Sequence, residues 1–233
     1  MEKKNTLTHY QRLNTNLLLM KMRAGAVNST FTQLACYPDV CIEQAIVNYK
    51  ISTTSTELMK EVIRCAKLRP EDPISKPLIA YMEQHIPEEL NHDEWCLKDL
   101  EVLGVPRESV INKIPSTNLA ALIGSQYYWI RHADPIAFMG YLACLEVNHP
   151  TVEYVETLIE TSGLPAAGFN SLMHHAKVDS HHKQDIIDTI NALPLTQEQY
   201  KLMELSAFQT YRYVALVMED VCRVAPVQQK TST

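Results

Sequence analysis

The sequence predicts an all-α protein that folds as a single-domain helical bundle. Apolar residues recur at three- and four-residue spacing through most of the chain, and only 6 of the 233 residues are glycine. Turn dipeptides are scarce, so the predicted helices are joined by short connections and should pack as antiparallel neighbours around a central cavity. A chain of this length forms one large domain. We expect this domain to span residues 1–224, followed by a flexible tail over 225–233.

The boundaries of the predicted helices follow from proline and glycine. Pro87, Pro135 and Pro165 suit a first helical turn, whereas Gly104 and Gly163 suit the position just after a helix end. The predicted helices cover residues 8–22, 31–49, 56–68, 74–85, 87–103, 118–132, 135–148, 151–161, 165–175, 179–193 and 196–224.

Composition and charge exclude several classes of protein. The formal charge is -6 and the 21 basic residues are scattered, so nucleic acid is not an expected partner. No apolar stretch approaches the roughly 20 residues needed to cross a bilayer, and no signal peptide is evident. We therefore expect a cytoplasmic protein without a membrane partner. Its 6 cysteines, which include no CxxC pair, are expected to be reduced thiols, most of them buried and inert.

Three separate segments concentrate side chains that can bind a metal. In the first, Glu88 and Glu89 precede His92 by four and three residues, so either glutamate shares a helical face with the imidazole. In the second, Glu146 lies inside an otherwise apolar helical run that begins at Ile136, where an unpaired buried carboxylate would be costly. Each of these segments also has a simpler interpretation when it is taken singly. The first is an acidic helical turn that interacts favourably with the helix dipole, and in the second the glutamate reaches solvent near the helix end.

The third segment is the richest in candidate ligands. His175, Asp179 and His182 stand at i, i+4 and i+7 on one helical face, whereas His174 and His181 point elsewhere and should be exposed. A histidine-rich surface helix is the alternative interpretation. Together with one glutamate of the first segment, His92 and Glu146, these residues make six ligands, enough for two metal ions. Mixed oxygen and nitrogen ligands with open positions suit Fe(II) or Mn(II) better than a closed structural zinc site.

The arrangement of these segments resembles the haem-oxygenase-like diiron oxidases, which share their helical scaffold with thiaminase II (TenA) and the quinone-cofactor synthase PqqC. The resemblance lies in a Glu before a His, a lone Glu 54 positions after that His, and a His-x3-Asp-x2-His triplet that starts 29 positions further on. It spans roughly residues 74–193. Because family members vary in the gap between the first Glu and its His, either Glu88 or Glu89 matches, and Glu83 is a more distant candidate.

The resemblance implies an oxidoreductase that binds two Fe(II) ions, with Mn as an alternative, and uses O2 as co-substrate to oxidise a small organic molecule. An external reductant is a further candidate partner, and a homodimer is compatible with such a domain. Two other functions stay open at this stage. One is a metal-free, TenA-like hydrolase with a cysteine nucleophile, although no cysteine here has a neighbouring base in sequence. The other is a non-catalytic interaction protein with a vestigial metal site.

Overall fold

The computed structural model describes residues 7–226, except for the side chains of residues 178–181, and it is helical, without a β-strand in this part of the chain. The predicted all-α class is thus confirmed. All but the first two residues of the predicted tail lie outside the described residues. A short 3-10 turn over Ala166–Phe169 precedes α10. The helices are α1 (His9–Asn16), α2 (Leu18–Leu34), α3 (Pro38–Lys67), α4 (Ser75–Glu89), α5 (His92–Val102), α6 (Arg107–Asn112), α7 (Thr117–His132), α8 (Ala137–Leu145), α9 (Val152–Ser162), α10 (Asn170–Ala192) and α11 (Gln197–Cys222).

The centre of the bundle is the short helix α8, which is buried along nearly its whole length and packs against α11. The two helices approach closely at Gly140, where a Cβ atom would lie 2.1 Å from the carbonyl oxygen of Met203. The long helix α3 packs on α4, α5 and α7, and α11 also contacts α2 and α7. Consequently α8 brings its C-terminal end, with Glu146, into the interior of the protein.

Several predicted boundaries are confirmed by the backbone. Gly104 and Gly163 follow helix ends with φ angles of 83° and 66°, a region that favours glycine. Thr196 begins α11 with a capping box in which its hydroxyl accepts from the N–H of Gln199 and the Gln199 side chain accepts from the N–H of Thr196. These local signals depend on only a few neighbouring residues, which explains why sequence reading recovers them.

Other predicted boundaries are wrong because local signals were outweighed by the rest of the helix. The gap predicted between residues 49 and 56 is helical, and the hydroxyls of Thr53 and Thr54 donate back to the carbonyls of Lys50 and Ile51, each at 2.9 Å, within α3. The segments 165–175 and 179–193 are mostly one helix, α10, because no glycine or proline interrupts residues 176–178.

The N-terminal helices and one short helix also differ from the prediction. Residues 8–34 form two helices joined at Leu17, and α3 begins later than predicted, with Pro38 in its first turn. Helix α6, which follows Pro106, was not predicted.

The predicted helix boundary at Pro87 is wrong, and this difference affects the site more than any other. Pro87 was predicted to start a helix, but it lies in the last turn of α4, which continues to Glu89. The chain instead turns at Asn91, which has a φ angle of 68° and precedes α5. Because proline only removes one N–H and crowds the preceding turn, a helix can run a few residues past it. His85 and Glu89 are therefore on the same helix.

A buried ion-pair cluster joins α3 to α7 and supplies one test of the packing. Glu61 accepts hydrogen bonds from Arg64 at 2.7 and 2.9 Å and from Arg131 of α7 at 2.6 Å. These bonds, of which those from Arg64 have the largest effect, lower the pKa of Glu61 from 4.5 to about 2. We expect Glu61→Gln to reduce the free energy of unfolding at pH 7 by about 1 to 2 kcal/mol.

The pH dependence distinguishes this cluster from a merely steric effect. A carboxylate with a depressed pKa stabilises the fold above its unfolded pKa, and this contribution is lost as the pH falls towards the folded value. The stability gap between the wild type and Glu61→Gln should therefore close between about pH 5 and pH 2. Denaturant unfolding across this range measures the gap. Glu57→Gln, which breaks an exposed pair with Lys60 on the same helix, is the matched control and should change little at any pH.

Candidate metal site

The corner between α4 and α5 places four candidate donors close together. His85, Glu88 and Glu89 occupy the last two turns of α4, and His92 is the first residue of α5. The left-handed backbone at Asn91 turns the chain so that His92 still faces Glu89, with 3.0 Å between His92 Nδ1 and Glu89 Oε2. All but Glu88 are buried. The side chain of Glu88 is 36% exposed and that of Glu89 only 8%, so the two glutamates identified in the sequence differ in environment.

His85 and Glu89 face each other through two buried atoms that lack a hydrogen-bond partner among the described residues. His85 Nδ1 lies 2.8 Å from Glu88 Oε2; because a carboxylate only accepts, this nitrogen carries the proton. A neutral His85 therefore has its lone pair on Nε2, which is 4.0 Å from Glu89 Oε1. Both His85 Nε2 and Glu89 Oε1 are buried and unsatisfied. Two facing lone pairs in a buried site are unfavourable unless a cation lies between them.

Glu146 and His182 approach the same corner from α8 and α10. Glu146 ends α8, its side chain is 14% exposed, and its Oε2 lies 3.8 Å from His182 Nδ1. His182 Nε2 lies 3.6 Å from Glu88 Oε2, and its ring meets that of His85 edge-on at 5.1 Å. Glu146 thus faces His182, and α4, α8 and α10 bring side chains to one place.

His175 lies against His92 on the other side of this corner. Their rings pack edge-on with centroids 4.7 Å apart, and His92 also contacts the ring of Trp95 at 4.5 Å. His174 is exposed, as predicted, and its ring packs against Trp95. The side chains of Asp179 and His181 lie outside the described residues. Of the predicted ligands, Glu88, Glu89, Glu146 and His182 thus lie close to His85, whereas His92 adjoins them through Glu89 and His175 lies against His92.

A buried carboxylate fixes α10 relative to α5. Asp99 accepts hydrogen bonds from the N–H and the hydroxyl of Ser171, at 2.7 and 2.6 Å, in the first turn of α10. Burial raises the pKa of Asp99, and the bonds from Ser171 work against that shift. Because Asp99 is on the helix of His92 and Ser171 is one turn before His175, this contact sets the distance between the two imidazoles.

The electrostatics of the site favour an ionised Glu89 and neutral phenols around it. Burial raises the pKa of Glu89, but the hydrogen bond from His92 and the nearby His92, His85 and His175 outweigh it, so the pKa is lowered. Burial raises the pKa values of Tyr81 and Tyr141, and the negative charge of Glu146 has the second-largest raising effect on both. Both phenol oxygens are buried and lack a hydrogen-bond partner among the described residues.

Two overlapping groups of donors in the described chain have the geometry for a cation. One comprises His85, Glu88 and His182, the other His85, Glu89 and Glu146, and in each group one donor atom per residue lies within 4.8 Å of the others. Imidazole nitrogens and carboxylate oxygens are donors that suit iron and manganese. The two unsatisfied buried atoms, His85 Nε2 and Glu89 Oε1, show that these residues fit a bound cation.

His85 is the donor that sequence analysis missed. It was placed at the end of one helix and Pro87 at the start of the next, so the i, i+3, i+4 and i+7 spacing of His85, Glu88, Glu89 and His92 was not considered. That spacing was the available signal, since it puts these side chains on one face if the helix runs through Pro87.

The buried cysteines of the described chain do not resemble nucleophiles. Burial raises the pKa of Cys41 and Cys96 to about 11 and also raises that of Cys144. A nucleophilic cysteine needs a lowered pKa, since the thiolate is the reactive form. The prediction that most thiols are buried is confirmed for Cys41, Cys65, Cys96 and Cys144.

Comparison with known proteins places the chain in a family. Residues 58–216 match the model of the family described as iron-containing redox enzyme, of haem-oxygenase-like type, and the chain belongs to this family. The match covers α4, α5, α7, α8 and α10, and thus all the candidate donors. No curated protein matches the sequence significantly. None of the helices over residues 7–226 combines the length and hydrophobicity that crossing a bilayer requires.

Solved structures show the same fold at low sequence identity. A domain of unknown function with a haem oxygenase-like fold from Shewanella denitrificans OS217 is 16% identical, with a TM-score of 0.73 over 88% of this chain and 91% of that one. A TenA homologue from Pseudomonas syringae pv. tomato DC3000 is 15% identical, with a TM-score of 0.73 over 96% of both chains. A CADD-like protein of unknown function from Nostoc punctiforme PCC 73102 is 14% identical, with a TM-score of 0.58 over 88% of this chain and 99% of that one. The fold is therefore haem-oxygenase-like, as predicted.

Proposed function

We propose that the protein is a non-haem diiron oxidase that uses O2 to oxidise a small organic molecule. The observation that carries this proposal is the pair of buried, unsatisfied atoms His85 Nε2 and Glu89 Oε1, which face each other beside Glu146. A cation is the simplest group that satisfies both. Membership of an iron-containing redox family favours iron over manganese as that cation.

Two ions, rather than one, are favoured by the number of donors and their spread. The candidate groups hold five residues, and His92 and His175 adjoin them, which exceeds the four ligands of a closed tetrahedral site. We assign the ions to His85, Glu88, Glu89, His92, Glu146, His175, Asp179 and His182. Asp179 is included only because of its sequence position, four residues after His175 and three before His182. Bound iron would supply the electrons and the open coordination positions that O2 chemistry requires.

The protein's own groups orient these donors and control the protons around them. Glu89 Oε2 accepts from His92 Nδ1, which directs the lone pair of a neutral His92 to Nε2, and the Glu88 contact does the same for His85. Tyr81 and Tyr141 keep their protons because burial and Glu146 raise their pKa values. Each can therefore donate a hydrogen bond to an anionic group within the site.

Oxygen uptake by the Fe(II)-loaded protein tests this function. Anaerobically loaded protein mixed with O2 should consume it in the presence of a suitable member of a panel of amines, amino acids and fatty acids, with an external reductant supplied. Glu146→Gln keeps the size of the side chain but removes its charge, so we expect at least a tenfold loss of iron affinity, or about 1.4 kcal/mol. Glu156→Gln on the exposed face of α9 is the matched control and should behave like the wild type. A Glu146→Gln variant with unaltered iron binding and O2 uptake contradicts the proposal.

A further inference from the structure

A second feature is a partly open cavity at the protein surface, of about 550 Å³, bordered mainly by α2, α3, α9 and α11 and by the residues that follow α8. Its described lining includes none of the candidate metal donors and no carboxylate. Apolar walls are provided by Phe31, Leu158, Leu172 and Met218, among others. A cavity of this size with mainly apolar walls and a few polar groups suits a small organic ligand.

Lys21 is the charged group of this cavity. Its ammonium forms no ion pair with a described carboxylate. It donates a hydrogen bond to the neutral side chain of Asn14 and lies 5.8 Å from the centre of the Tyr211 ring. Burial lowers the pKa of Lys21, with a smaller opposing effect of Cys144. A half-buried ammonium without a counter-charge is costly, and an anionic ligand would offset that cost.

We propose that this cavity binds a small organic carboxylate, whose carboxylate pairs with Lys21 and whose apolar body packs on the walls. Cys144, which lines the cavity at the C-terminal end of α8, is two positions before Glu146 and is therefore on the opposite side of the helix from that carboxylate. Leu172, also in the lining, lies one turn before His175. That this carboxylate is the substrate rests on the proposed function, whereas its binding does not require iron.

Calorimetric titration of the purified full-length chain, with and without prior chelator treatment, tests the proposal. The probes are 3-phenylpropanoate and 3-phenylpropan-1-ol, which differ in the carboxylate. The wild type should bind the acid at least about tenfold more tightly than the alcohol. Lys21→Met should lose that preference, Lys21→Arg should retain it, and Lys60→Met, an exposed lysine on α3, should match the wild type. Because chelated protein is tested, failure here is separate from failure of the diiron assignment.

The result that overturns the proposal needs no variant. Equal affinity of the wild type for the acid and the alcohol, or no binding of the acid at millimolar concentration, excludes Lys21 as a carboxylate-binding residue. A folded Lys21→Met variant that keeps the preference would do the same.

Discussion

A His85→Phe variant is expected to lose at least about a hundredfold in iron affinity, because it removes the one side chain shared by both candidate donor groups. Phenylalanine keeps the ring volume and the stacking on Tyr81, whose ring centroid lies 5.5 Å from that of His85. It also removes a buried nitrogen that lacks a partner, so the iron-free variant should be as stable as the wild type or more so. Iron titration and thermal unfolding of the iron-free protein measure the two effects.

The matched control for this variant is His132→Phe. His132 also packs against a tyrosine, Tyr128, at 5.2 Å, but it is exposed at the end of α7 and belongs to neither donor group. The same substitution there should leave iron affinity unchanged. If His85→Phe bound iron as tightly as His132→Phe, His85 would be a packing residue and the metal would have to lie elsewhere.

The largest expected effect on stability comes from Gly140→Ala. The added Cβ would lie 2.1 Å from Met203 O and 2.8 Å from Ala207 N, and both are backbone atoms of α11 that cannot rotate away. Relief of the clash requires α8 and α11 to move apart, which we expect to cost about 3 kcal/mol. For a protein of this size that lowers Tm by roughly 6 to 12 °C. Thermal unfolding followed by circular dichroism measures the shift.

Gly124→Ala provides the comparison for this substitution. Gly124 lies inside α7, is exposed, and has no atom within 4 Å of the position that a Cβ would take. The same change there removes only backbone freedom, so it should raise stability by up to about 1 kcal/mol. A Gly140→Ala variant as stable as the wild type would mean that α8 and α11 are not in the contact described.

The fold could be predicted from sequence because helical periodicity is a property of each segment taken alone. The boundaries that failed are those where a local breaker competes with a long helix. The segment Ile51–Thr56 contains β-branched and hydroxyl residues, yet α3 continues through it because the burial of Leu58, Met59 and Val62 stabilises the helix beyond. Packing of this kind is not visible in a short window of sequence.

The candidate ligands that the sequence predicts are those whose signal lies within one uninterrupted predicted helix. His175 and His182 could be grouped from their spacing, and Glu146 from its position in an apolar run. The place of His85 depends on whether α4 continues through Pro87, which is a matter of tertiary packing. The cavity near Lys21 is formed by segments far apart in the chain, and no local pattern predicts it.

Metal analysis after anaerobic reconstitution with Fe(II) measures how many ions the protein holds. We expect close to two tightly bound iron ions per chain, because donors from α4, α8 and α10 meet around His85 and Glu89, with His92 of α5 beside Glu89. Iron and zinc are measured on the same desalted sample by elemental analysis, with the His85→Phe variant alongside. Trace iron only, or a single tightly held zinc, would contradict the diiron assignment.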